Sequence, residues 1–182
     1  MAYSFTQHWF LNQKPIHDSA LNASHKRILE IGAFEGMSTV YFLDCPHTSI
    51  VVSIDPFLTD DVNTPVVEST LTTFRKNVSL SPNKHKHMHL QESSAEALAK
   101  LVLDNKKFDY ILVDGSHLAH HVLVDALLAF HLIDVGGIIF FDDYKSPTLG
   151  LGPTIEHALH MIGTHRVRVL HRGYHLVCRR IS

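Results

Sequence analysis

Leu29-Glu30-Ile31-Gly32-Ala33-Phe34-Glu35-Gly36-Met37-Ser38 reads as a strand end, a glycine turn and a helix start within ten residues. Residues 27–31 read as a strand that ends in the turn at Gly32, and residues 36–43 read as the following helix. Gly32 and Gly36 allow a tight turn and close backbone approach. The helix start offers free N–H groups to an anion. Outward from this unit, the same alternation of apolar strand and amphipathic helix recurs, which is the pattern of a parallel sheet. Residues 50–54 are a second β-branched run, followed by a polar loop at 56–65 and a helix at 66–77. A weak strand at 87–91 precedes a helix at 95–103, with Ser93 or Ser94 as its cap. The strongest apolar run, residues 108–113, closes on Asp114-Gly115 and leads to a helix at 118–132. Gly136-Gly137 is expected to end that helix and open a strand at 138–141, closed by Asp142-Asp143-Tyr144. A helix at 153–162 and strands at 166–170 and 174–178, joined by the turn His171-Arg172-Gly173, complete the chain.

This order predicts an α/β protein with a Rossmann-like, doubly wound sheet of seven strands, mostly parallel, ending in an antiparallel hairpin. Residues 27–182 make the main domain; residues 1–26 read as an N-terminal extension with a helix near 6–11. The 182 residues suit one core, and 45% apolar with 19% charged residues is ordinary for a soluble globular chain. The net charge of −2 and the lack of a long Lys/Arg run argue against nucleic acid as a partner. No apolar stretch reaches the ~18 residues needed to span a bilayer, and the first ten residues do not read as a signal peptide. Cys45 and Cys178 form no CxxC pair, so a reducing cytoplasm is the expected compartment. Most of the sixteen histidines read as surface residues.

Ligands of open parallel sheets bind at the carboxyl ends of the strands. The glycine turn lies at one such end. Asp55 lies at the next, 19 residues past Gly36, where a carboxylate can accept both ribose hydroxyls. Either feature alone is most simply a turn or a loop cap; together they favour a nucleoside ligand. A dinucleotide fingerprint requires glycine where Phe34 stands. Bulk there obstructs a pyrophosphate but not an amino-acid tail, which favours S-adenosylmethionine over NAD. Asp114, Asp142 and Asp143 end neighbouring strands, which lie ~4.8 Å apart, so their carboxylates can converge on one hard cation such as Mg²⁺. The plainer alternative is that these acids cap loops.

The segments Glu30-Ile31-Gly32-Ala33-Phe34-Glu35-Gly36-Met37-Ser38-Thr39, Ile54-Asp55-Pro56-Phe57, Val113-Asp114-Gly115-Ser116-His117 and Phe141-Asp142-Asp143-Tyr144 together resemble class I S-adenosylmethionine-dependent methyltransferases. More narrowly, they resemble small bacterial domains related to macrocin-type sugar O-methyltransferases and, more remotely, to catechol O-methyltransferase. The resemblance runs from about residue 26 to the end. It implies that Glu30, Gly32 and Gly36 hold the methionine moiety and its loop, and that Ser38 bonds the methionine carboxylate. It further implies that Asp55 holds the ribose, that Ser94 lies near the adenine amine, and that Asp114 touches both cofactor and metal. Asp114, Asp142 and Asp143 would then bind a divalent metal. His117, three residues past Asp114, takes the offset at which the resembled families carry a general base, lysine in the catechol enzymes and histidine in a macrolide-sugar relative. Two other readings of His117 stand beside it: a partly buried histidine at a helix start, or a metal ligand paired with His121. The expected activity is O-methylation of a small hydroxylated molecule, such as a sugar or phenol. The alternative is a non-catalytic cofactor-binding or regulatory module. The chain is short and has no obvious substrate-capping segment beyond residues 1–26 and the loop at 57–65, which keeps the non-catalytic alternative open unless a partner subunit, such as a second copy in a homo-oligomer, closes the pocket.

Overall fold

The computed structural model describes residues 2–58 and 68–182. Seven strands form one sheet: β1 (Arg27–Ile31), β2 (Ile50–Ile54), β3 (His87–Leu90), β4 (Phe108–Val113), β5 (Ile133–Phe141), β6 (Val167–Arg172) and β7 (Leu176–Arg180). Their order is β3-β2-β1-β4-β5-β7-β6. The first five run parallel, and β7 pairs antiparallel with both β5 and β6. The chain therefore reverses direction across the sheet between β1 and β4, which opens a crevice at the carboxyl ends of those two strands.

Among the described residues, six α-helices cover the faces: α1 (Phe10–Ala20), α2 (Met37–Asp44), α3 (Glu68–Leu80), α4 (Ser94–Leu103), α5 (Ala119–Leu132) and α6 (Gly152–Ile162). Side chains alternate across a strand, so one sequence run feeds both faces. Ile28, Tyr110, Leu112, Ile138 and Phe140 pack with Phe42 and Leu43 of α2 and with Ile16 and Ala20 of α1. Leu29, Ile31, Ile111, Val113, Ile139 and Phe141 pack against α4, α5 and α6. Both faces are buried, which explains why the central strands are almost wholly apolar. None of the described helices is long and apolar enough to cross a membrane.

Four expectations are corrected. The N-terminal helix is Phe10–Ala20, not residues 6–11, and it contains Pro15. A proline inside a helix and polar residues on its buried side, Gln13 and His17, hid the helical spacing. Helix α5 passes directly into β5 at Ile133, so Gly136-Gly137 lies within the strand rather than at a helix end. The pairing register shifts there between Phe108 and Tyr110. Gly136 has φ of 89°, and a Cβ on Gly137 would stand 2.9 Å from the carbonyl oxygen of Asp109, so the pair makes a bulge with close backbone approach. The last two strands are Val167–Arg172 and Leu176–Arg180, which moves the hairpin turn onto Gly173, Tyr174 and His175. His117 precedes α5 by two residues instead of starting it. Residues 59–65 of the expected polar loop and 66–67 of the next helix lie outside the described residues.

Candidate active site

Each strand end at the crevice is tied to its neighbour by one more backbone bond. Gly32 N–H donates to Ile54 O at 2.9 Å, Asp114 N–H to Ile31 O at 2.9 Å, and Asp142 N–H to Val113 O at 3.0 Å. The segments bearing Gly32, Asp114 and Asp142 therefore leave the sheet side by side. Gly32 has φ of 88°, and a Cβ there would lie 1.9 Å from the carbonyl oxygen of Asp114. Only glycine lets the β1 turn pass this close to the end of β4.

Asp55 braces that turn. Its Oδ2 accepts from the N–H groups of Ala33 and Phe34, both at 2.9 Å, and its Oδ1 from Phe57 N–H at 2.8 Å. The paired bonds help hold Phe34 at φ 47°, a left-handed conformation costly for a residue with a side chain. Glu30 lies beneath the turn and is fully buried. Its Oε2 accepts from the Thr39 and Ser53 hydroxyls, both at 2.6 Å, while Oε1 has no hydrogen-bond partner. Burial raises its pKa against the hydroxyls of Ser38, Ser53 and Thr39, which lower it.

Above these strand ends is a cavity of about 1060 Å³. Its wall brings together Gly32, Ser38, Asp55, Ser94, Asp114 and His117, with Asp142 and Asp143 at one end. Glu30 and Gly36 stand behind the wall: Glu30 under the turn, and Gly36 where a Cβ would press on the Phe74 ring at 3.0 Å. Ser93 caps α4 through Glu96 N–H, and both Ser93 and Ser94 line the cavity.

Asp114, Asp142 and Asp143 each place a carboxylate oxygen within 4.8 Å of the others. Among the described residues they are the one acid, histidine or cysteine cluster with such spacing. Burial, and then the charge of Asp142, push the Asp114 carboxyl well above the usual range, with the Gln13 amide opposing. Asp143 goes the other way. Burial would raise it, but hydrogen bonds from His117 and Tyr174 outweigh burial and hold it low. His117 Nε2 lies 3.2 Å from Asp143 Oδ2, and the Tyr174 hydroxyl donates to Oδ1 at 2.6 Å. His175 Nδ1 pairs with Asp142. An all-oxygen set under mutual repulsion fits a hard divalent cation. His121 instead bonds Ser116 Oγ at 2.9 Å and stands outside the cluster.

Several wall residues escaped the sequence reading. Gln13 of α1 donates to Asp114 at 2.9 Å and to Asp142 at 2.5 Å. Tyr174 and His175 arrive from the β6–β7 turn. Glu35 accepts from the backbone N–H and hydroxyl of Thr6 at 2.6 and 2.8 Å, which pins the N-terminal segment to the glycine turn. Trp9 rests on Phe34 with ring centroids 5.4 Å apart. Polar residues at three- and four-residue spacing from Phe10 to Ala20 were the one available signal for Gln13.

Residues 29–144 match the family model described as a methyltransferase domain. No curated protein matches the chain in sequence. Among solved structures, a candidate O-methyltransferase from Klebsiella pneumoniae aligns with a TM-score of 0.69 at 15% identity, covering 99% of this chain and 84% of that one. The O-methyltransferase from Bacillus cereus, solved with SAH, aligns at 0.66 and 16% identity, covering 100% and 84%. The MycE methyltransferase of the mycinamycin biosynthetic pathway, solved with Mg and SAH, aligns at 0.63 and 18% identity; this chain covers 51% of it, with 98% of its own length matched. At such identities these likenesses establish the fold.

Proposed function

The chain belongs to the family of methyltransferase domains whose model it matches, and on that premise we propose that it transfers the methyl group of S-adenosylmethionine to a hydroxyl of a small molecule. The observation that carries this reading is the placement of the Asp114-Asp142-Asp143 cluster and His117 in the wall of the same cavity as the Gly32 turn and Asp55. Gly32, Ser38, Asp55 and Ser94 would hold the cofactor, Ser38 toward its carboxylate and Asp55 toward its ribose. Glu30 and Gly36 support the turn from behind. Asp114, Asp142 and Asp143 would hold Mg²⁺ or Mn²⁺. S-adenosylmethionine supplies an already activated methyl group, and a divalent cation lowers the pKa of an acceptor hydroxyl beside it.

His117 is assigned as the base that takes the acceptor's proton. Asp143 orients its ring through Nε2, and Tyr174 fixes Asp143 in turn. The carboxylate partner favours the imidazolium formed once the proton has moved, so the pair also holds that charge. Trp9, Phe34 and Leu149 give the cavity an apolar side that limits water around the acceptor. Residues 1–26 are then an extension that completes the cavity of the domain at 27–182. Incubation with methyl-labelled S-adenosylmethionine, Mg²⁺ and a panel of phenols and sugars tests the assignment. Labelled methyl ethers that vanish with EDTA or with His117→Ala are expected. Cofactor binding without transfer to any acceptor would instead favour a non-catalytic module.

A further inference from the structure

Gln13 is 3% exposed, at the end of the first turn of α1, and its side chain ends among the acids. One nitrogen, Nε2, lies 2.9 Å from Asp114 Oδ2 and 2.5 Å from Asp142 Oδ2. It spends both amide hydrogens on carboxylates that end two different strands. On the other side, Oε1 lies 3.3 Å from His17 Nε2, and His17 Nδ1 lies 2.7 Å from the buried Tyr110 hydroxyl. A neutral imidazole has one N–H. The arrangement that leaves no group unpaired is Tyr110 O–H donating to Nδ1, Nε2–H donating to Gln13 Oε1, and the amide donating to the two acids. The reversed amide would aim a carbonyl oxygen at the Asp142 carboxylate and deprive His17 Nε2–H of its acceptor. The fold thus fixes which end of the amide meets the acids.

We propose that Gln13 is a positioning residue that holds the Asp114–Asp142 pair in register when no cation is present and gives up that place when one binds. The inference rests on the cation reading given above. A divalent ion of this type sits 2.0–2.6 Å from its oxygen ligands. An ion that took those same Oδ2 atoms would need the space into which the amide hydrogens point. Amide and cation are therefore competing partners for the same two carboxylates, and α1 carries the competitor. The seating of α1, and with it the aromatic cover from Trp9 and Phe10, becomes coupled to cation binding. Helix α1 packs on the sheet through Ile16 and Ala20, which ties its seating to the strands that carry the acids.

Gln13→Met keeps the length and burial of the side chain and removes both donors; it also removes the acceptor of His17 Nε2–H, a loss that is the same with and without the cation. In EDTA its melting temperature should fall by about 5 °C, the scale of about 2 kcal/mol in a chain of this size. In saturating Mn²⁺ the gap to wild type should shrink to less than about half of that. Mn²⁺ affinity, read by calorimetry or by the free-ion electron paramagnetic resonance signal, should rise about tenfold, since binding no longer breaks hydrogen bonds to charged groups. A second variant, Gln13→Glu, should lose more stability in EDTA and regain more of it with Mn²⁺. If Gln13→Met fails to fold in EDTA, rescue by Mn²⁺ supports the proposal and lack of rescue overturns it. An equal loss of stability with and without Mn²⁺, or a weaker Mn²⁺ affinity, also overturns it, the latter by making Gln13 a ligand. Absence of Mn²⁺ binding by the wild-type protein would overturn the cation reading itself, which separates the two failures.

Discussion

Acid should loosen this protein through His17. The ring is fully buried, stacked on Phe140 with centroids 4.1 Å apart and edge-on to Phe42 at 5.4 Å. Burial first, then the nearby charge of His175, lower its pKa from 6.5 to about 3. The folded state therefore holds the neutral imidazole, while the unfolded chain takes up a proton below pH ~6.5. Stability from this group is complete above that pH and drains away as pH falls toward 3. The cost is about 2 kcal/mol at pH 5 and about 3 kcal/mol at pH 4, because each pH step below ~6.5 removes ~1.36 kcal/mol. A domain of this kind has only ~5–15 kcal/mol in total. His87, lowered to about 4 by burial and then by His89, adds to the acid slope, so the test must isolate His17. His17→Gln removes the titration and keeps a polar side chain. Urea melts at pH 7 and pH 5 should show wild type losing about 2 kcal/mol more than the variant between the two conditions. Equal losses would refute the claim that α1 docks on the sheet through a neutral His17.

Gly32→Ala should destabilise by about 3 kcal/mol or more, since it combines a left-handed φ with a Cβ placed on the Asp114 carbonyl; Gly136→Ala, also at positive φ but with nothing within 4 Å, should cost only about 1–2 kcal/mol. Denaturant melts of the two variants give the comparison. His117→Ala should leave affinity for S-adenosylhomocysteine nearly unchanged and lower turnover on a genuine acceptor by roughly 10²–10⁴-fold, measured as product formed per enzyme. Mn²⁺ should raise the wild-type melting temperature and EDTA should abolish the gain; Asp143→Asn, which keeps an oxygen but drops a charge, should show a reduced gain rather than none.

What was legible in the sequence was what local pattern controls. The strands at 27–31, 50–54 and 108–113 were read to the residue, because each is a mostly apolar run closed by Gly32, Asp55 or Asp114. Strand-end logic also placed Asp114, Asp142 and Asp143 together, since acids that close adjacent parallel strands must emerge side by side. What failed depended on partners distant in the chain. Gln13 meets Asp142 across 129 positions, and nothing near either residue announces the other. Pro15 broke the helical reading of α1, although burial of Phe10, Ile16 and His17 against the sheet outweighs its local cost. Gly136-Gly137 looked like a helix stop because two glycines usually are one; here backbone crowding against Asp109 demands them inside a strand. Asp55 is the intermediate case. Its position at a strand end was readable, but its three backbone bonds to the Gly32 turn and Phe57 follow only from the fold.

The cavity beside the Gly32 turn is the proposed seat of S-adenosylmethionine. Isothermal titration calorimetry with S-adenosylhomocysteine tests it without needing an acceptor or a metal. Wild type should bind in the micromolar range, about −8 kcal/mol, and Asp55→Ala should weaken binding by about 1.5–3 kcal/mol. NAD under the same conditions should give no comparable heat. Preference for NAD over S-adenosylhomocysteine, or equal affinity in wild type and Asp55→Ala, would contradict the account.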